Sequence, residues 1–233
     1  MKIKTVLIII PVVFLTLASC NQPVGEKKLK THIDTISYCI GVVYGGNLHR
    51  DGFDTINAEL IGQGLNDYVN KGKTLIDKDK AKKILLEQYR IVKEKELLDK
   101  YGDNKTDGEK FLEENAKRKE VTVLPSGLQY EILETGHGEQ PDSNDLVYVH
   151  YRGQLVNGTV FEENFGKDPV IFAPNRVIPG WTEALLHMHA GDRWKIFIPY
   201  QLGYGTEFRP NSPIEPYSAL IFEIELVKVK REP

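Results

Sequence analysis

Near Val121 the spacing of apolar residues changes from a helical repeat to strict alternation, and this change divides the chain into two kinds of structure. Before it, apolar side chains recur every three or four residues, as in Ile33, Ile36, Ile40 and Val43, then Leu60, Ile61, Leu65 and Val69, then Ile84, Leu85, Tyr89 and Val92. That period places them on one face of a helix. Asp34, Asn57 and Asp77 stand where N-caps belong, and "NLHRDGF" and "NKGKTL" supply turns. After Val121 the period is two, in "GLQYEILE", "DLVYVHYRGQLV", "RWKIFIPY" and "SALIFEIELVKVK", with "PVIFAP" as a shorter run. "VNGT" at 156–159 marks a hairpin. The one helical stretch among these strands is "WTEALLHM", in which Trp181, Leu185 and Met188 share a face. An antiparallel sheet with one short helix must bury a sheet face against it.

The fold class expected is therefore α+β: a helical N-terminal region, then an antiparallel sheet wrapped around one short helix. Residues 31–76 form the helical region, 77–120 a charged linker helix, and 121–233 the sheet domain. A helix running from Asp77 to Lys119 would extend roughly 60 Å at about 1.5 Å per residue. Gly102, Asp103, Asn104 and Gly108 all disfavour helix, so a break, or a helix that frays, is predicted near 102–108.

The first residues set the compartment. Lys2 and Lys4 precede an apolar run from Val6 to Leu17 that is interrupted by Pro11 and is too short for a stable membrane span. It ends in "LASC", which resembles a bacterial lipobox. This implies a signal peptide over 1–19, lipidation of Cys20, a tether over 20–30, and attachment to the envelope, with Asn21 pointing to the outer membrane. Cys39 in "ISYCIGVVYG" then has no partner for a disulfide and reads as a small buried apolar residue. With 30 Lys+Arg against 33 Asp+Glu, the chain has no global field to attract nucleic acid. His187 and His189 form an H-x-H pair without a third ligand, so no metal site is expected.

"VHYRG" at 149–153, "GTVFEEN" at 158–164, "VIPGW" at 177–181, "GYG" at 203–205 and "ALIFEIELVKV" at 219–229 resemble, in order and spacing, the FKBP-type peptidyl-prolyl cis-trans isomerases. The helical region with "ISYCIGVVYGGNL" and the later "VLPSGLQYEIL" is similar to their Mip-like (macrophage infectivity potentiator) class of bacterial envelope proteins. The resemblance implies a homodimer through the N-terminal helices, X-Pro polypeptides as substrates, macrolide inhibitors as ligands, and no cofactor. It places Trp181 as the floor of a proline pocket, Tyr151, Phe161 and Phe222 as its sides, Val177 and Ile178 at its border, and Ile214 at its rim. The Ile178 N–H and the Tyr204 hydroxyl would each bind a substrate carbonyl.

Two positions depart from the family pattern. Glu162 replaces the usual Asp, and Val170 stands where many members carry an aromatic residue, leaving one wall thinner. The chemistry implied needs no nucleophile. The X-Pro amide resists rotation by roughly 18–20 kcal/mol because of resonance, and a dry pocket that grips the ring favours the twisted form. The alternative reading is an envelope chaperone or peptide-binding module with little turnover.

Overall fold

A computed structural model describes residues 28–231. The signal peptide expected over 1–19, the lipidation expected at Cys20 and the first part of the tether expected over 20–30 lie outside the described residues. The chain falls into two compact units, one reaching to Thr55 and the other starting at Ile56.

The first unit contains helix α1 (His32–Arg50). Its N-cap is Thr31, whose side chain accepts from the Asp34 N–H, and the Asp34 carboxylate accepts in return from the Thr31 N–H at 2.8 Å. Asp34 is thus the third helical residue of a capping box rather than the cap itself. No residue of α1 is buried. Cys39, expected to be buried, is exposed, because the described residues of its unit offer no second element to cover it.

In the second unit α2 (Ala58–Asn66) starts at Asn57 and runs into a wide turn over Asp67–Lys71. Helix α3 (Lys78–Asn115) starts at Asp77; both cap side chains accept from two backbone N–H groups, as their positions predict. α3 is continuous for 38 residues, roughly 57 Å, so the break expected near 102–108 does not occur. The residues that disfavour helix there are the ones that dock it. A side-chain carbon at Gly108 would meet Ala219 Cβ at 2.9 Å, so glycine permits close approach. Asn104 Nδ2 donates to the Pro216 carbonyl at 3.1 Å. Further on, the buried Asn115 Nδ2 donates to the buried Gln129 Oε1 at 2.8 Å, and Gln129 Nε2 donates to the Leu112 carbonyl at 2.9 Å. Tertiary contact here overrides local propensity.

The sheet comprises β1 (Thr122–Val123), β2 (Gln129–Glu134), β3 (Leu146–Leu155), β4 (Val160–Glu163), β5 (Val170–Phe172), β6 (Arg193–Ile198) and β7 (Leu220–Lys230). Its order is β1-β2-β6-β7-β3-β4, with β5 pairing β3, and every pairing is antiparallel. Alternation puts Val147, Val149 and Tyr151 of β3, Trp194, Ile196 and Ile198 of β6, and Phe222, Ile224 and Leu226 of β7 on one buried face. Helix α4 (Pro179–His187) covers that face through Trp181, Ala184 and Leu185. Gly180 lets α4 lie on β6, since a side-chain carbon there would come within 2.7 Å of Ile198 Cγ2. Phe197 points to the opposite face yet is buried, because Phe111 of α3 packs over it with ring centroids 5.9 Å apart. α3 is therefore a stalk at its start and a second cover for the sheet at its end.

Candidate functional site

The site is built where the start of α4 meets the middle of β3 and β7. Pro179 occupies the first turn of α4, where its missing N–H is not needed, and Trp181 follows on the face turned to the sheet. Three rings meet the Trp181 indole nearly edge to face: Tyr151 at 5.2 Å and 86°, Phe222 at 5.2 Å and 89°, and Phe172 at 5.7 Å and 78°. Phe161 continues the chain of rings, 5.5 Å from Phe222 at 79°. Such pairs contribute roughly 0.5–1.5 kcal/mol each beyond buried area, and they fix ring orientation. Trp181 is only 4% exposed and packs in the core, and its Nε1–H is buried without a partner among the described residues.

Of the residues expected at the site, Tyr151, Phe161, Trp181 and Phe222 are joined in this cluster, and Val177, Ile178, Ile214 and Tyr204 belong to the same core or pack against it. Ile178 is the N-cap residue of α4; its carbonyl accepts from Trp181 and Thr182, while its N–H donates to no carbonyl among the described residues. Tyr204 is half-buried, and the Arg209 guanidinium lies 4.0 Å over its ring. Glu162 is exposed on β4, yet its carboxylate reaches the Tyr151 hydroxyl. Burial first, then this acceptor, raises the Tyr151 hydroxyl well above the ordinary tyrosine range, so it stays protonated and donates. Val170 shares the inward parity of Phe172 on β5 but is exposed and joins no ring contact.

Three residues of the site escape the sequence reading. Phe172, two residues after Val170 on β5, packs its ring against Tyr151 and Trp181; that period-two offset was the available signal. Gly153 is required by the rings, because a side-chain carbon there would sit 2.7 Å from both Phe161 Cζ and Phe222 Cε1. Buried Asn164 pins β3 beside the ring cluster: its Oδ1 accepts from the Tyr151 N–H at 2.7 Å and its Nδ2 donates to the Val149 carbonyl at 3.1 Å. On the other sheet face His150 stacks on Phe165, and His187 and His189 are both exposed.

The fold has counterparts among known proteins. The family model of FKBP-type peptidyl-prolyl cis-trans isomerase matches residues 137–227, and that of the domain amino terminal to FKBP-type peptidyl-prolyl isomerase matches 33–132. The chain belongs to the FKBP-type peptidyl-prolyl isomerase family. It is 36% identical to "Outer membrane protein MIP" of Legionella longbeachae over 99% of each chain. To the "FKBP-type 22 kDa peptidyl-prolyl cis-trans isomerase" of Escherichia coli (strain K12) it is 35% identical, over 83% of this chain and 93% of that one. The crystal structure of FkpA from Escherichia coli superposes with a TM-score of 0.56 at 28% identity, covering 88% of this chain and all of that one. The expected fold class, helices followed by an antiparallel sheet around a short helix, is the one found.

Proposed function

We propose that the pocket floored by Trp181 catalyses X-Pro rotation in polypeptides of the bacterial envelope, without covalent chemistry. The observation that carries this reading is the set of three rings held edge-on to Trp181 beside a backbone N–H, that of Ile178, with no acceptor among the described residues. A pyrrolidine ring fits a rigid apolar enclosure of this kind at little rotamer cost. The Ile178 N–H and the Tyr204 hydroxyl hold carbonyls on either side of the proline, Val177 and Ile214 close the border, and Val170 touches the substrate at the thin wall. Tyr151, kept neutral and bonded to Glu162, gives the wall a fixed edge.

Within that enclosure the planar amide loses water that stabilises its polar carbonyl, whereas the twisted amide, already deprived of resonance, loses less. The barrier falls because the pocket complements the twisted form better than either planar one. Uncatalysed X-Pro steps last tens to hundreds of seconds, long enough to limit the folding of exported proteins.

The location rests on Cys20 as a lipid anchor and is supported by the likeness to an outer membrane protein. Dimerisation through the N-terminal helices is supported by their uncovered apolar residues: Ile33, Val43 and Tyr44 of α1 are 73%, 61% and 66% exposed. Macrolides of the FKBP class would occupy the same aromatic enclosure as proline.

The test is two-dimensional exchange NMR on a short X-Pro peptide with catalytic amounts of the full chain. Cis–trans cross-peaks that intensify with added protein are expected. Unchanged exchange at saturating protein would leave a binding module and end the isomerase reading.

A further inference from the structure

The loop at 206–218 carries Ile214 toward the pocket rim and follows directly on Tyr204 and Gly205. Within the loop, short turns bond the Glu207 N–H to the Tyr204 carbonyl, the Ser212 N–H to that of Arg209 and the Ser218 N–H to that of Glu215, and Ile214, Pro216 and Tyr217 are buried. The Ser212 Oγ accepts from the Ile214 N–H at 3.2 Å, and the Tyr217 N–H donates to the Gly205 carbonyl at 2.9 Å. Tyr217 has φ +64°, a left-handed conformation that a bulky residue adopts only when its surroundings impose it.

Those surroundings come partly from α3. Asn104 Nδ2 donates to the Pro216 carbonyl at 3.1 Å and to Glu215 Oε2 at 3.3 Å, so one helix side chain grips the two residues just before Tyr217. Gly108, one turn further along α3, lets the helix touch Ala219 at the loop's exit. The buried Tyr217 ring stacks edge-on against Tyr200 at 5.2 Å, and its hydroxyl is raised by burial and then by the charge of Glu94, also on α3. The chain path from this grip to the pocket is short. Ile214 lies two residues before Pro216, and Tyr204 adjoins the glycine that Tyr217 binds.

We propose that Asn104 on α3 is a positioning residue for the isomerase pocket, holding the 206–218 loop so that Ile214 and Tyr204 face the bound peptide. This deepens the isomerase reading and rests on it. Asn104 touches no substrate. It fixes the rim through Pro216 and Tyr217, which makes the linker helix part of the binding machinery rather than a spacer. Releasing the loop enlarges the ensemble from which a binding-competent rim must be drawn, so peptide affinity falls in proportion to the competent fraction while the pocket floor is untouched.

Asn104→Asp in the full chain is the sharpest perturbation. It keeps the side chain's shape, removes the donor, and sets a carboxylate against Glu215. Gly108→Leu, which forces α3 off Ala219, is the second. Both variants should raise KM for an X-Pro peptide by about three- to tenfold with kcat within twofold, and speed hydrogen exchange of the Tyr217 amide by about tenfold, the two readouts tracking the same loss of competent rim. Asn104→Gln, which keeps an amide donor, should recover part of both. For Asn104→Asp the denaturant midpoint of the sheet should stay close to that of the parent, whereas Gly108→Leu, which overpacks a docked helix, should lower it, so Asn104→Asp decides the outcome.

Unchanged KM and Tyr217 exchange in Asn104→Asp, with an active parent, would overturn the proposal and leave the isomerase reading intact. A KM increase that merely follows a fall in midpoint, with exchange faster throughout the sheet, would overturn it too, since Asn104 would then be ordinary scaffold. A parent that leaves the peptide unexchanged while Asn104→Asp still frees Tyr217 would sink the isomerase reading, and with it any role for Asn104 in substrate handling.

Discussion

Adding one methyl group at Gly153 should damage both the stability and the activity of this protein. Gly153 is buried on β3 opposite Phe222 of β7, and the ring of Phe161 from β4 closes over it. The Cβ of an alanine would stand 2.7 Å from Phe161 Cζ and from Phe222 Cε1, against the roughly 3.5–4.0 Å at which carbon atoms rest. About 1 Å of movement is needed. Phe222 is 3% exposed and held by Trp181, whereas Phe161 is only half-buried, so Phe161 is the ring that yields. Overpacking of this kind costs about 1–3 kcal/mol, and a Phe161 displaced from its edge-on contact opens one wall of the pocket. Urea unfolding of Gly153→Ala should show that loss at unchanged m-value, and exchange NMR should show kcat/KM lower by roughly tenfold. Gly153→Ala combined with Phe161→Leu, which makes room, should recover part of the stability, giving a coupling of about 0.5–3 kcal/mol. A Gly153→Ala protein within about 0.5 kcal/mol of the parent, with unchanged turnover, would refute the reasoning.

Three further outcomes are expected. The Tyr151 hydroxyl is held protonated above its ordinary value, so its contribution to stability is complete below pH about 10 and is lost as pH rises through the higher folded value; Tm should fall more steeply above pH 10 for the parent than for Tyr151→Phe, and parallel curves would contradict this. Ile36→Lys with Val43→Lys, two exposed residues seven apart on α1, should turn a dimer into a monomer in sedimentation velocity while peptide turnover per site persists; an unaltered sedimentation coefficient would place the contact elsewhere. Cys20→Ala should leave the protein unacylated and released from membranes, and fatty-acid labelling equal to the parent would refute the anchor.

The elements were legible in the sequence where one period dominates a long segment, as in β3, β7 and the start of α3. The caps at Asn57 and Asp77 could be read because their side chains act on the next few residues. What could not be read depends on partners far along the chain. Gly102, Asp103, Asn104 and Gly108 argue locally for a broken helix, but Ala219 and Pro216, more than a hundred residues later, reward a continuous one. Cys39 resembles a core residue by composition, yet α1 buries nothing within its own unit. At the site, motifs located the rings of Tyr151, Phe161, Trp181 and Phe222 together. Phe172 lay in a run too short to assign parity with assurance, and the need for Gly153 emerges only when β4 folds its ring over β3.

Trp181 is either a floor for bound peptide or packing alone, and one substitution separates the two. Trp181→Leu keeps an apolar side chain beneath Tyr151, Phe172 and Phe222, and circular dichroism should show the sheet domain still folded with a lower Tm. On that folded variant, peptide titration and exchange NMR together should show weaker binding and cis–trans turnover reduced about tenfold or more. A folded Trp181→Leu protein that binds and turns over the X-Pro peptide as the parent does would contradict the account.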